Sequence, residues 1–221
     1  MLRIFELGVQ PSKPKAFNNA GRANLVGSVT YEKGTLMMFA VSPEDNPNLV
    51  YLFEVYQDAA AYQAHINGDY YKDYVKAEPT LLTNHKKLTL TDTQSIGEKP
   101  TQISQKNGEN QPIVRLAELV IKPESAEQSR QIVIDEMQQT IAKESNVLAM
   151  YAATSREQPE KWFFVEVYTD EAAYQVHRNT SHFQKYLKET GEMIAERNVR
   201  AMKNRVLMSK GGLGFNWVEN K

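Results

Sequence analysis

The stretch Tyr51-Leu52-Phe53-Glu54-Val55-Tyr56-Gln57-Asp58 returns 112 residues later as Phe163-Phe164-Val165-Glu166-Val167-Tyr168-Thr169-Asp170. Carried forward without a gap, the same offset pairs Ala60 with Ala172, Tyr62 with Tyr174, His65 with His177, Asn67 with Asn179 and Tyr74 with Tyr186. Between residues 51 and 76, 12 of 26 positions match their counterparts. Carried backward, it pairs Pro47 with Pro159, Met38 with Met150, Pro11 with Pro123, Glu6 with Glu118 and Arg3 with Arg115. One offset held across half the chain marks a duplicated domain. Solenoid units recur every ~20–50 residues, so that architecture is excluded.

The 221 residues divide into a first domain over 1–92, a linker over 93–111, a second domain over 112–208 and a tail over 209–221. The linker reading rests on Gly97, Pro100 and Gly108 among Ser, Thr, Gln and Asn, a composition of flexible surface chain. Lys plus Arg is 26 and Asp plus Glu is 27, divided evenly between the halves. A nucleic-acid binder is expected to carry a basic surplus, and none is present. The absence of cysteine excludes disulfides, thiolate metal sites and cysteine nucleophiles. No apolar run approaches the ~18 residues that span a bilayer. Residues Met1–Glu6 lack the basic stretch and apolar core of a signal peptide. The expectation is a soluble, cytoplasmic protein with no membrane partner.

In the second half, Ile113–Ile121 reads as a strand ended by Pro123, and Glu124–Glu144 as a helix with Ile132, Ile134, Met137 and Ile141 on its apolar positions. Val147–Ala153 and Lys161–Tyr168 read as strands. Asp170 is placed to cap a helix, Thr180 or Ser181 to recap the chain, and a last strand falls within 195–208. The first half gives the same order, with strands near 2–9, 35–42, 48–56 and 80–91 and a weaker helix near 14–32. The order βαββαβ predicts an α+β protein of two ferredoxin-like units. A lone unit of this kind leaves one sheet face uncovered. Two copies in one chain therefore predict an internal pseudo-dimer with packed sheets.

Tyr62 and His65 are three apart on a predicted helix and share a face, as do Tyr174 and His177. Glu54 and Glu166 fall on the third strand of each unit, Glu6 and Glu118 on the first, which predicts two close carboxylate pairs. A paired carboxylate, or one beside a histidine, has a shifted pKa and can act as a base. The structural alternative is that these histidines and tyrosines pack on the sheet, and that the glutamates are solvated or paired with Arg. Recurrence does not separate the two readings, because duplication also copies structural residues. No metal site is expected: His177 and His182 are five apart, which points them to different sides of one helix. Gly211-Gly212-Leu213-Gly214 has no helix after it to make a phosphate loop, and no Gly-x-Ser-x-Gly elbow occurs. Phe215 and Trp217 in the tail are expected to pack on the protein surface or to cover a pocket mouth.

The segments Glu54–His65 and Glu166–His177 resemble the signature of the antibiotic biosynthesis monooxygenase family. The likeness lies in a strand ending in Glu and an aromatic, an acidic cap, a helix with a His, then His-Phe and an aromatic. His182-Phe183 and Tyr186 match the last part, and Tyr70-Tyr71 and Tyr74 stand there in the first copy. The resemblance implies a dimeric α+β barrel, here formed within one chain. Whether two chains associate further is left open. It also implies one of several activities: cofactor-free oxygenation of phenols or quinols, haem degradation or isomerisation. The haem branch fits poorly, because Glu6 and Glu118, Val75 and Leu187 stand where its Asn and axial His are needed. By motif position, His65, His177, Tyr62 and Tyr174 are the candidate catalytic residues. Glu54, Glu166, Tyr56, Tyr168, His182, Phe183 and Tyr186 are the candidate substrate contacts. The leading expectation is a monooxygenase acting on a small aromatic or quinol substrate, with no cofactor. The alternatives are a non-catalytic binding or stress-related barrel protein and an isomerase of small carbonyl compounds.

Overall fold

The computed structural model describes residues 1–105 and 111–217. Residues 106–110 of the expected linker and 218–221 of the tail lie outside the described residues. The first repeat runs β1 (Leu2–Val9), α1 (Pro14–Tyr31), β2 (Thr35–Pro43), β3 (Leu49–Tyr56), α2 (Ala59–Ile66), α3 (Asp69–Leu81) and β4 (Leu82–Glu98). The second runs β5 (Ile113–Ile121), α4 (Ala126–Lys143), β6 (Val147–Ser155), β7 (Lys161–Tyr168), α5 (Glu171–Arg178), α6 (Ser181–Thr190) and β8 (Ile194–Ser209), and β9 (Gly214–Trp217) follows. Helices α1 and α4, and strands β3 and β7, begin and end at residues paired by the offset of 112. The chain is α+β with two ferredoxin-like repeats, as expected.

The described chain forms two compact units. The first holds Met1–Leu90, residues 102–105 and Met202–Gly211. Its antiparallel ladder is β4-β1-β3-β2-β8, using residues 82–90 of β4 and 202–209 of β8. Its core lies between sheet and helices and includes Leu7, Phe17, Leu25, Val29, Met38, Leu52 and Val206. The second unit holds Thr91–Thr101, Gln111–Ala201 and the residues from Gly212. Its ladder is β8-β5-β7-β6-β4-β9, with residues 91–98 of β4. Its core includes Leu119, Val133, Met137, Met150, Trp162 and Phe164, with the half-buried Phe215 packed against it.

Helix α1 forms despite Asn18, Asn19 and Gly21. Phe17, Leu25 and Val29 are buried on the sheet, and tertiary packing of one face outweighs weak propensity. Its buried Asn24 is satisfied by the Ser28 hydroxyl, which donates to Asn24 Oδ1 at 3.2 Å. Three of the four short helices, α2, α5 and α6, start at a side-chain cap, and α3 starts at Gly68 without one. The Ala61 N–H donates to Asp58 Oδ1 and the Ala173 N–H to Asp170 Oδ1, both at 2.8 Å. The Phe183 N–H donates to the Thr180 hydroxyl at 3.4 Å, so the chain recaps at Thr180.

Three expectations need correction. The linker was placed from residue 93, yet β4 continues to Glu98 because residues 91–98 pair with β6. Beyond it Ile103 is buried and its N–H donates to Ser209 Oγ, so this part is packed chain. The tail is likewise ordered from Gly214 to Trp217: it adds β9 beside Ser95–Glu98 and packs the half-buried Phe215 against the core. The left-handed φ of +79° at Gly212 makes the turn into β9. Third, the strand carboxylates do not pair. Register sets Arg3 opposite Glu54 and Arg115 opposite Glu166. Glu6 and Glu118 lie three residues further along, so strand alternation turns them to the other face. No helix among the described residues is long and apolar enough to cross a membrane.

Candidate functional site

Each repeat fastens its helix histidine to a glutamate at the end of its first long helix. In the first, His65 Nδ1 lies 2.9 Å from Glu32 Oε2, which also accepts the Thr35 hydroxyl at 2.6 Å. In the second, His177 Nδ1 lies 3.0 Å from Glu144 Oε1. A carboxylate only accepts, so each Nδ1 carries its proton and the neutral ring keeps a lone pair on Nε2. Both Nε2 atoms are buried and have no hydrogen-bond partner among the described residues. The environments then diverge. Burial holds His65 below the usual imidazole range, against the pull of Glu32. Burial acts on His177 too, but the Glu144 hydrogen bond and the charges of Glu166, Glu136 and Glu144 outweigh it and raise the group.

The third strand supplies a second shared unit. The Tyr56 hydroxyl donates to Glu54 Oε2 and the Tyr168 hydroxyl to Glu166 Oε2, each at 2.8 Å. Burial pushes the Glu54 carboxyl up to about 7, against the Tyr56 hydrogen bond and Arg3. It raises Glu166 as well, against His177, Tyr168 and Arg115. The opposed arginines cover the helix tyrosines: Arg3 lies 3.6 Å over the Tyr62 ring and Arg115 4.5 Å over the Tyr174 ring.

A pocket opens between sheet and helices in each unit. The one in the second unit is narrow, with a cavity volume of about 60 Å³. Its walls are Ala117, Leu119, Val133, Met150, Phe164, Phe183 and Tyr186, with Tyr174, Glu136, Glu166, Arg197 and Val199. Glu136, on α4, is pushed by burial up to about 7, against His177 and the Thr140 hydroxyl, which donates to its Oε1 at 2.7 Å. That oxygen lies 3.9 Å from His177 Nε2. The first unit's pocket, about 40 Å³, is lined by Phe5, Asn24, Leu52, Glu54, Tyr62, His65, Tyr71, Tyr74 and the ion-paired Glu78 and Lys86 among others.

Of the expected site residues, Tyr62, His65 and Glu54 meet at one pocket and Tyr174, Glu166, Phe183 and Tyr186 at the other. His177 is wholly buried behind Glu136. Tyr56 and Tyr168 are also fully buried, held on the carboxylates of their own strands. The expectation that His177 and His182 point apart is corrected. The chain breaks between α5 and α6, and both rings reach Glu144 Oε1, His182 Nε2 at 2.6 Å. Glu136, His177 and His182 thereby offer atoms within 4.8 Å of one another, a grouping able to hold a cation or share a proton. The offset sets Asn24 and Tyr70 at the positions of Glu136 and His182, so the three-residue grouping is not copied in the first repeat.

A model of the antibiotic biosynthesis monooxygenase family matches residues 1–77 and 112–189, one stretch per repeat. This chain belongs to the antibiotic biosynthesis monooxygenase family. Solved structures agree on the tandem fold. A protein from Lactobacillus acidophilus NCFM, provisionally named a monooxygenase, covers 99% of this chain and 98% of its own, with TM-score 0.88 and 23% identity. Another so named, from Fusobacterium nucleatum subsp. nucleatum, covers 96% and 95%, with TM-score 0.87 and 25% identity. An anthrone oxidase-like protein covers 96% and 94% at TM-score 0.54 and 9% identity, a likeness of fold alone. Family membership supports a monooxygenase-like role at the level of reaction class.

Within this family frame, sequence reasoning missed Glu32, Glu144, Glu136 and Arg197. The offset itself carried a signal for the first two, since Glu32 and Glu144 are paired by it. It carried none for Glu136, whose counterpart is Asn24, nor for Arg197, whose counterpart is His85.

Proposed function

We propose that the second repeat carries a cofactor-independent monooxygenase site for a small phenol or quinol. The observation that carries this reading is an apolar pocket with two carboxylates, the buried Glu136, raised to about 7, and the half-buried Glu166, also raised. A base with a pKa near the working pH is the effective one. Glu136 takes the phenolic proton. His177 stands behind it with a free lone pair, held in that tautomer by Glu144, and acts as a positioning residue and proton store. Glu166 orients the ring through a second oxygen.

The chemistry then belongs to the substrate. The phenolate gives one electron to O2, and the radical pair closes a C–O bond. The hydroperoxide loses water to leave a quinone. One oxygen atom enters the product, the other leaves as water, and all electrons come from the substrate. Flanking apolar walls favour this by excluding water and holding the ring in place.

Oxygen uptake with a panel of phenols and quinols tests the reading. Turnover is expected in the wild type, with a loss of at least tenfold in His177→Ala and a smaller change in His65→Ala. Unchanged turnover in both variants would sink the assigned roles. Substrate conversion without oxygen consumption would favour the isomerase instead.

A further inference from the structure

Outside the inner pocket of the second unit lies an open cleft of about 450 Å³, with Tyr174, Phe183, Arg197 and Val199 common to both. Arg115, Arg178 and Arg197 line this cleft with Leu187 and Ala201, and no carboxylate does. Arg115 is ion-paired with Glu171, which is 57% exposed. Arg178 lies 5.7 Å over the Tyr174 ring. Arg197 is exposed and makes no ion pair among the described residues. The inner pocket carries Glu136 and Glu166 with Arg197, the charges of Arg115 and Arg197 both act on Glu166, and the outer cleft adds Arg178 with no carboxylate in its lining. A planar guanidinium fork matches a carboxylate in two-point geometry.

The first repeat provides an internal contrast. Its counterparts of Arg178 and Arg197 are Ile66 and His85. The lysine that lines its pocket, Lys86, is already held by Glu78 of the same lining. A positive rim is thus a property of the second repeat and not of the duplicated scaffold.

We propose that the second repeat takes an anionic aromatic: a phenolic ring bearing a carboxylate, the ring among Phe164, Phe183 and Tyr186 and the carboxylate on Arg178 and Arg197. This rests on the pocket assigned above and names its substrate class. The arrangement fixes one orientation. It sends the phenolic oxygen inward to Glu136 and repels the same molecule turned end for end, because Glu136 and Glu166 line the inner pocket. A neutral phenol has no such preference.

The probes are 4-hydroxybenzoate and its neutral amide, 4-hydroxybenzamide, with binding to the full chain measured by calorimetry under nitrogen. The acid is expected to bind at least tenfold more tightly than the amide. Arg197→Ala combined with Arg178→Ala is expected to weaken the acid about tenfold while leaving the amide within twofold. Raising salt from 0.05 to 0.5 M is expected to weaken only the acid. Equal affinity of acid and amide, an equal loss for both in the variant, or no binding of either overturns the proposal. Because no turnover is read, selective binding with no oxygen uptake overturns the monooxygenase reading and leaves this one standing.

Discussion

Position 24 is Asn in the first repeat, and its counterpart at 136 is Glu in the second. Around this difference the scaffold barely changes. Both repeats tether a helix histidine by Nδ1, at 2.9 and 3.0 Å. Both set a Tyr on a strand carboxylate at 2.8 Å. What differs is the lining. The first repeat presents Phe5, Tyr71 and a closed Lys86–Glu78 pair, and the second Ala117, Phe183, Glu136 and Arg197. Duplication has kept the parts that hold the site, with Glu54/Glu166, Tyr62/Tyr174 and Tyr74/Tyr186 in both linings, and varied others that meet a ligand, Glu136, Phe183 and Arg197 among them. A residue recurring in both copies is thus better evidence of positioning than of catalysis.

The largest expected effect breaks this comparison directly. Glu136→Gln keeps the side-chain shape and the Thr140 hydrogen bond but cannot take a proton. Oxygen uptake should fall about 100-fold or more, the scale of a lost general base. Glu54→Gln in the first repeat should change it less than twofold. Equal losses would mean that both pockets turn over, and no loss in Glu136→Gln would remove the base assigned here.

Glu54 has its own signature in stability. Its folded-state carboxyl is raised to about 7 by burial, above the unfolded value. Below about pH 4.5 both states are protonated. Between there and about pH 7 the unfolded chain ionises first, so stability falls as pH rises. Above about pH 7 both are ionised and the deficit stays constant, on the order of 3 kcal/mol. Denaturant unfolding at pH 4.5 and 7.5 should show this fall. In Glu54→Gln, whose amide still accepts from Tyr56, the Glu54 contribution to it should vanish.

The tethers sharpen the comparison further. Glu144 accepts from two histidine rings, Glu32 from one ring and a hydroxyl. A hydrogen bond to a charged group contributes about 1.5–3 kcal/mol. Glu144→Gln should therefore destabilise the chain by about 3 kcal/mol and Glu32→Gln by about 2 kcal/mol, read as shifts of the unfolding midpoint. The reverse order would mean that His182 adds nothing to its repeat.

These contrasts also explain what the sequence could reveal. The offset of 112 exposed the two ferredoxin-like repeats, because strands such as Lys161–Tyr168 are dense in β-branched and aromatic residues and copied nearly intact. It also exposed His65, His177 and their tyrosines. Glu144 escaped because it meets His177 across 33 residues, a contact that no local periodicity encodes. Glu136 and Arg197 escaped because they are not copied, so a search for recurrence passes over them. The His177–His182 convergence is not legible from a spacing of five on one helix, because the cap at Thr180 breaks the chain into α5 and α6. The Glu6–Glu54 pair was misread because neighbouring strands were taken without their register.

The smallest expected effect asks whether the scaffold is as equal as its distances suggest. Asp58 and Asp170 cap α2 and α5 with the same 2.8 Å bond from the residue three positions on. An Asp cap replaced by Ala costs about 1 kcal/mol. Both replacements should therefore shift the unfolding midpoint by similar amounts, well under those of the tethers. The helices nevertheless differ in their first turn, since α5 begins with Glu171 and α2 with Ala59. A second carboxylate near a helix N-terminus adds some tenths of a kcal/mol at low salt. Asp170→Ala should then be the milder of the two at low ionic strength, and the gap should close as salt is added. A gap that persists in high salt would place the inequality of the repeats in packing and not in charge.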